Sequence, residues 1–150
     1  MAIVTGKSDL IVDPRLGETA VDPVRARGRP IIATGTVANL STDNANSKYL
    51  LAKIPSHAML GAGTFFAATA WGFATVNIGT KTAPTALFTG LRATGLLKPV
   101  VEGDAKHGKE LWEILGLAAD PGGDIELWAH GPADATTAGS AKFEIHYRAR

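Results

Sequence analysis

The stretch AKFEIHYR at residues 141–148 constrains the fold more than any other part of the chain. Ala141, Phe143, Ile145 and Tyr147 fall on one side of it, and Lys142, Glu144, His146 and Arg148 on the other. Successive side chains of a strand point to opposite faces, whereas a helix would scatter these residues around its axis. The pattern therefore predicts a half-buried strand. Burial contributes about 1.5–3 kcal/mol for each large apolar side chain, and a one-residue slip would exchange the two faces, so the register is strongly specified. DIELWAH (124–130) alternates in the same way, with Ile125, Leu127 and Ala129 against Glu126, Trp128 and His130. It follows DPGG (120–123), where Pro121 and Gly122 suit the central positions of a type II turn. The loop GPADATTAGS (131–140) is expected to return the chain to the last strand as an antiparallel neighbour.

Earlier segments agree. IIATGTVANL (31–40) is β-branched and ends in STDNANS, an Asn/Asp/Ser cluster whose side chains mimic turn hydrogen bonds. KYLLAKI (48–54) reads as a strand closed by Pro55, and WGFATVNIG (71–79) as a central strand covered on both sides. From Ala58 to Thr80 no residue is charged, but Gly61, Gly63, Gly72 and Gly79 with four threonines and Asn77 suit buried strands better than a membrane span. The 17 glycines and 8 prolines favour turns and short strands over a helical bundle. No solenoid repeat or heptad is present, and residues 80–97 carry no assignable element.

One segment reads as a helix. In HGKELWEILG (107–116), Leu111, Trp112, Ile114 and Leu115 form an apolar stripe opposite Lys106, Lys109, Glu110 and Glu113. Asp104 is the expected N-cap and Gly116 the left-handed residue after the end, with Leu117 packing back on Trp112. Residues 1–30 differ: Pro14, Pro23 and Pro30 interrupt regular structure, and Asp9, Asp13, Glu18 and Asp22 precede Arg25, Arg27 and Arg29. The expected fold is mainly β, an antiparallel β-sandwich or jelly-roll-like body at 31–150 with one short helix at about 104–115 and an extended N-terminal arm at 1–30.

Little in the chain promises chemistry. With no cysteine, disulfides, thiolate metal sites and cysteine nucleophiles are excluded. A net charge of +1 gives no whole-molecule argument for nucleic acid. His107, Glu110 and Glu113 have acid/base-like spacing, but they sit among lysines on the wet side of the expected helix, where nothing raises a carboxylate's pKa. His57, His107, His130 and His146 show no metal-ligand spacing, although His130 and His146 are placed on the outward faces of expected neighbouring strands. No G-x-S-x-G, dinucleotide loop or Walker lysine motif occurs. No catalytic residue, cofactor, metal or nucleic-acid partner is expected. Met1 is followed by no apolar signal core, so synthesis and folding in a cytoplasm are expected. Arg25, Arg27 and Arg29 alternate, and in an extended arm they would point one way toward an acidic protein neighbour.

In their order along the chain, GTVANLSTDNANSKYLLAKIPSHAML, WGFATVNIGTK and ELWEILGLAADPGGDIELWAHGPADATTAGSAKFEIHYR resemble a group of small tailed-bacteriophage virion proteins. These are head decoration or cement proteins encoded near the major capsid protein. The shared elements are an early strand, a K-x-P-S strand ending, an N-I-G strand end, the L-W-E-x-L-G-L…D-P-G-G helix and turn, and the alternating last strand, over roughly residues 31–148. The resemblance implies a structural, non-enzymatic role without cofactors, in a homotrimer on the outer surface of the virion head. There it would bridge major capsid protein subunits, with Arg25, Arg27 and Arg29 as partner contacts. The uncharged 58–80 region would supply some of the trimer interface. The alternative is a carbohydrate- or small-ligand-binding jelly-roll module of a phage tail or adhesion apparatus, with Trp128 as stacking platform.

Overall fold

The structure, a computed structural model, describes residues 28–149 together with residues 7 and 14–19. Among the described residues the strands are β1 (Arg29–Asn39), β2 (Ser47–Pro55), β3 (Met59–Leu60), β4 (Phe65–Ala67), β5 (Thr75–Gly79), β6 (Phe88–Leu91), β7 (Leu96–Leu97), β8 (Asp124–Gly131) and β9 (Gly139–Ala149). One short helix, α1, spans Leu111–Ile114.

Strand pairing is nested. β1 pairs with β9, β2 with β8, β4 with β7 and β5 with β6, all antiparallel. The chain is thus one long hairpin folded about β5–β6, and this hairpin is rolled so that β9 also meets β4 and β8 also meets β5. Two sheets result, ordered β1-β9-β4-β7 and β2-β8-β5-β6, with β3 added against β9. That order is a jelly roll, in which the apolar faces of both sheets turn inward.

Alternation decides which side chains fill the roll. Ala141, Phe143 and Ile145 of β9 and Ile125, Leu127 and Ala129 of β8 are buried, as their spacing predicts. β5 is covered on both sides, with Val76, Asn77, Ile78 and Gly79 all buried. It is shorter than expected, because Trp71, Gly72 and Phe73 lie in the crossing between the sheets rather than in the strand. There Trp71 meets Tyr49 of β2 edge-on at 5.3 Å and Phe66 of β4 at 5.6 Å, while Phe66 stacks on Phe143 at 6.5 Å. Gly35 sits opposite Phe143 in the β1–β9 register, and a Cβ there would stand 2.6 Å from the Phe143 ring. The glycine leaves that ring its space.

Two expectations are corrected. β8 and β9 are not neighbours, because the 131–140 loop carries the chain from one sheet to the other. It is held on that path by Ala135 N–H to Asp43 O (2.9 Å), Thr136 N–H to Gly72 O (2.8 Å) and Ser140 N–H to Ala70 O (3.0 Å). The helix does not start at Asp104. Gly103 and Gly108 take φ of 74° and 71°, which break helical continuity, and the Asp104 carboxylate instead closes a turn by accepting the Val101 and Lys106 amides. α1 begins after Glu110 with a capping box in which Glu113 accepts the Glu110 amide at 2.9 Å. Its end is as expected: Gly116 has φ 76°, and Leu117 N–H to Trp112 O with Gly116 N–H to Glu113 O closes a Schellman motif. Leu111 and Leu115 are buried, and Trp112 and Ile114 pack against the core.

At the end of β1 the buried Asn39 joins three segments. Its Oδ1 accepts the Gly72 amide (3.0 Å), and its Nδ2 donates to the carbonyls of Leu40 (3.1 Å) and Thr137 (2.9 Å). Nearby, the Tyr49 hydroxyl donates to Asp43, which also accepts the Leu40 amide at 3.0 Å. These two bonds hold the Asp43 carboxyl below the ordinary carboxylate range. Burial, then the bond to Asp43 and its charge, push the Tyr49 phenol well above its ordinary value.

Two predictions follow from this end of the roll. Asn39→Ala leaves the Gly72 amide unpaired in the interior and should lower unfolding free energy by about 1–3 kcal/mol in urea titration, with m unchanged. The Tyr49–Asp43 pair makes stability pH-dependent on both flanks. Asp43 is depressed, so its contribution is present above the unfolded carboxylate value of about 3.9 and lost as pH falls through the lower folded value. Tyr49 is raised, so its contribution is present below about 10 and declines above it, where only the unfolded chain ionises. Asp43→Asn should flatten the acid limb of a stability–pH profile and Tyr49→Phe the basic limb.

Candidate functional site

A chain whose interior is filled by side chains can act only through its surfaces. The partner-contact arginines come first. Arg25 and Arg27 lie outside the described residues. Arg29 is the exposed first residue of β1, opposite Ala149 in the β9 register, and Pro30 follows opposite Arg148. The border expected after residue 30 therefore falls inside a strand: Arg29 is held by the sheet. In the preceding segment Pro14–Leu16 forms a short 3-10 turn, and Lys7 Nζ lies 2.7 Å from the Glu18 carboxylate.

The outer face of the β1-β9-β4-β7 sheet is mixed. Lys142, Glu144, His146 and Arg148 project from β9, with Ile32, Thr34 and Thr36 of β1 on one side and the short β4 and β3 on the other, and His146 Nε2 lies 3.5 Å from Glu144. Ile32 remains 57% exposed there. β1 pairs only on its β9 side among the described strands, and residues 30–39 carry no charge.

The opposite sheet carries a different surface, built by register. Lys48 of β2 pairs with His130 of β8, His130 with Asn77 of β5, and Asn77 with Thr89 of β6, so four polar residues form one row across four strands. The next row holds Leu50, Trp128 and Gly79. Residues 80–87 fold over the end of this face, and the Thr80 carbonyl lies 2.8 Å from His130 Nε2. Thr89 Oγ1 donates to Asn77 Oδ1 at 2.6 Å. Trp128 is half-buried rather than freely exposed: its Nε1 donates to Glu126 at 3.2 Å, and Lys81 Nζ stands over its ring at 5.6 Å.

The other candidates do not converge. His130 and His146 lie on different sheets rather than on neighbouring strands, and His130 is buried rather than outward in solvent. His107 is exposed in the turn before α1, where Asp104 is held below the ordinary carboxylate range by the Val101 amide, then the Lys106 amide and the charges of Lys106 and His107, against the opposing effect of burial. Glu110 and Glu113 belong to the capping box, and Trp112 Nε1 also donates to Glu110. Lys106 Nζ donates to the carbonyl of Pro99. Among the described residues no group of three or more His, Asp or Glu gathers as a metal site would require, and no helix is long and apolar enough to cross a membrane.

Sequence reasoning missed the Lys48–His130–Asn77–Thr89 row. His130 was legible as an outward strand position, but Asn77 fell on a strand read as covered on both sides, Thr89 in a segment without an assigned element, and the strand partners were not legible. No family model matches the chain, and no curated protein matches it. Among solved structures it is similar to a chain of the cyanophage Pam1 capsid asymmetric unit, at 15% identity and a TM-score of 0.47, over 82% of this chain and 86% of that one.

Proposed function

We propose that this protein is a structural component of a tailed-phage virion that decorates the outer surface of the head. It bridges neighbouring major capsid protein subunits and braces the shell against the pressure of packaged DNA. What carries the reading is the ordered series of motifs from GTVANL to AKFEIHYR, which resembles head decoration proteins. The strand order supports it. A rolled double sheet with an aromatic interior is a stiff body that presents two broad faces and one long edge, as a bridging protein requires. The arm before Arg29 reaches a neighbouring subunit through Arg25, Arg27 and Arg29. Ile32 and the uncharged edge of β1 provide apolar and backbone contact area beside it. In this reading the protein is a homotrimer, catalyses no reaction and needs no cofactor.

The boundary at Arg29 sharpens the test. Deleting residues 1–27 leaves every pair of the β1–β9 ladder in place, so folding and attachment separate. The deletion should leave the melting temperature within about 4 °C, a shift equivalent to roughly 1 kcal/mol, while weakening attachment to undecorated heads at least about tenfold. Cosedimentation with purified heads and analytical ultracentrifugation read the two effects. Equal decoration by the truncated and full chains would overturn the role of the arm. A virion reconstruction placing the chain on the tail would overturn the reading itself.

A further inference from the structure

The polar row on the β2-β8-β5-β6 sheet opens into a cleft of about 300 Å³, at the small end of ligand pockets. Its floor is unusual for the outside of a sheet. Asn77 and His130 are only 8% and 5% exposed, both line the cleft, and each keeps a side-chain nitrogen without a partner among the described residues. Thr89 occupies the Asn77 carbonyl oxygen, which leaves both hydrogens of the amide nitrogen to donate. A carbonyl can only accept, so His130 Nε2 carries the proton that it gives to Thr80, and in the neutral ring Nδ1 is left as an acceptor. At the rim stand two exposed cations, Lys48 and Lys81, and among the described residues no Asp or Glu lines the cleft.

A plain anion does not match this set, because the Nδ1 lone pair would repel it. A neutral sugar leaves two ammonium groups unused. We propose that the cleft binds a single acidic sugar residue of the uronate type. Its carboxylate lies between Lys48 and Lys81, one ring hydroxyl donates to His130 Nδ1, and another ring oxygen accepts from the Asn77 amide. Lys81 connects the cleft to Trp128, whose ring it covers at 5.6 Å. Drawing the ammonium toward a carboxylate uncovers a flat aromatic face beside the bound ring, a surface suited to the apolar side of a pyranose. The Asn77–His130 floor is positioned by strand register and by the 80–87 loop, so the site is formed before ligand arrives. It is independent of the arm and of the bridging role proposed above.

Titration of the full-length protein with glucuronate, followed by calorimetry and by ¹H–¹⁵N spectra, tests the assignment. Saturable binding is expected, with shifts confined to residues around Lys48, Asn77, Lys81 and His130. Glucose, acetate and inorganic sulfate should each bind at least about tenfold more weakly, a difference of roughly 1.4 kcal/mol. The exposed pair Lys48→Gln with Lys81→Gln should lose a comparable factor. Lys53→Gln, on the same face but outside the cleft and paired with Glu126 at 3.8 Å, should bind as the parent does. Absence of saturable binding would overturn the site. Equal affinity for glucose would overturn the role of the lysines, and equal affinity for acetate or sulfate the role of His130 and Asn77. Unchanged affinity in the double lysine variant would place any binding elsewhere.

Discussion

The indole of Trp71 stands edge-on to rings from both sheets, with Tyr49 on one side and Phe66 on the other, at the point where the chain crosses between them. Edge-to-face pairs add about 0.5–1.5 kcal/mol each beyond the area they bury, and here they also set the spacing of the sheets. The crossing segment could not be held by apolar contacts alone, because its backbone polar groups are buried with it. Asn39 accepts the Gly72 amide, Thr136 donates its amide to the Gly72 carbonyl, and Arg92 donates to the Trp71 carbonyl at 3.1 Å. Ring packing and backbone hydrogen bonding thus meet in one short segment, with the rings on Trp71 and Phe73 and the bonds on Trp71 and Gly72. A Cβ at Gly72 would stand 2.1 Å from the Asn39 side chain and 2.2 Å from the Thr137 carbonyl, so that position has no room for another residue.

A rolled hairpin makes most of its pairings between distant parts of the chain. β1 and β9 begin and end the described body, yet they form its longest ladder. Loop-closure entropy must be met before such contacts are rewarded, which places the nucleus nearer the innermost pair, β5–β6, where only residues 80–87 separate the strands. The 80–87 segment then has two consequences. It closes the first hairpin, and its Thr80 carbonyl later fixes the tautomer of His130 on the finished sheet. Local geometry from an early step becomes part of a surface assembled from four strands.

How much of this could be read beforehand depends on which physical relation was needed. Period-two alternation made the inward and outward residues of β8 and β9 legible, because facing depends only on neighbours in the chain. Pairing depends on where a loop goes, and GPADATTAGS looks equally suited to a hairpin or to a crossing. Its hydrogen bonds to Asp43, Gly72 and Ala70 decide the matter, and none of those partners is local. The helix was misjudged for a related reason. The charge pattern of 104–110 is helical, but Gly108 allows a left-handed turn that the Asp104 carboxylate stabilises. The C-terminal stop at Gly116 was legible since a Schellman ending is specified within six residues. The polar cleft was illegible altogether: Lys48, Asn77 and His130 are ordinary strand residues until the register aligns them.

The placement of Arg29 opposite Ala149 has a mechanical meaning. Both residues lie at the same end of one antiparallel ladder. A load entering at Arg29 and leaving at Ala149 therefore peels β1 from β9 one pair at a time, the geometry in which a sheet is weakest. A load entering at Arg29 and leaving at Gly139, which pairs with Asn39 at the far end of the ladder, must instead shear all of its pairs at once. A body tethered through its first strand loads this ladder in shear only if its other attachments lie toward the start of β9, beside the 131–137 loop. The direction of pull, more than the number of bonds, sets the force at which such a brace gives way.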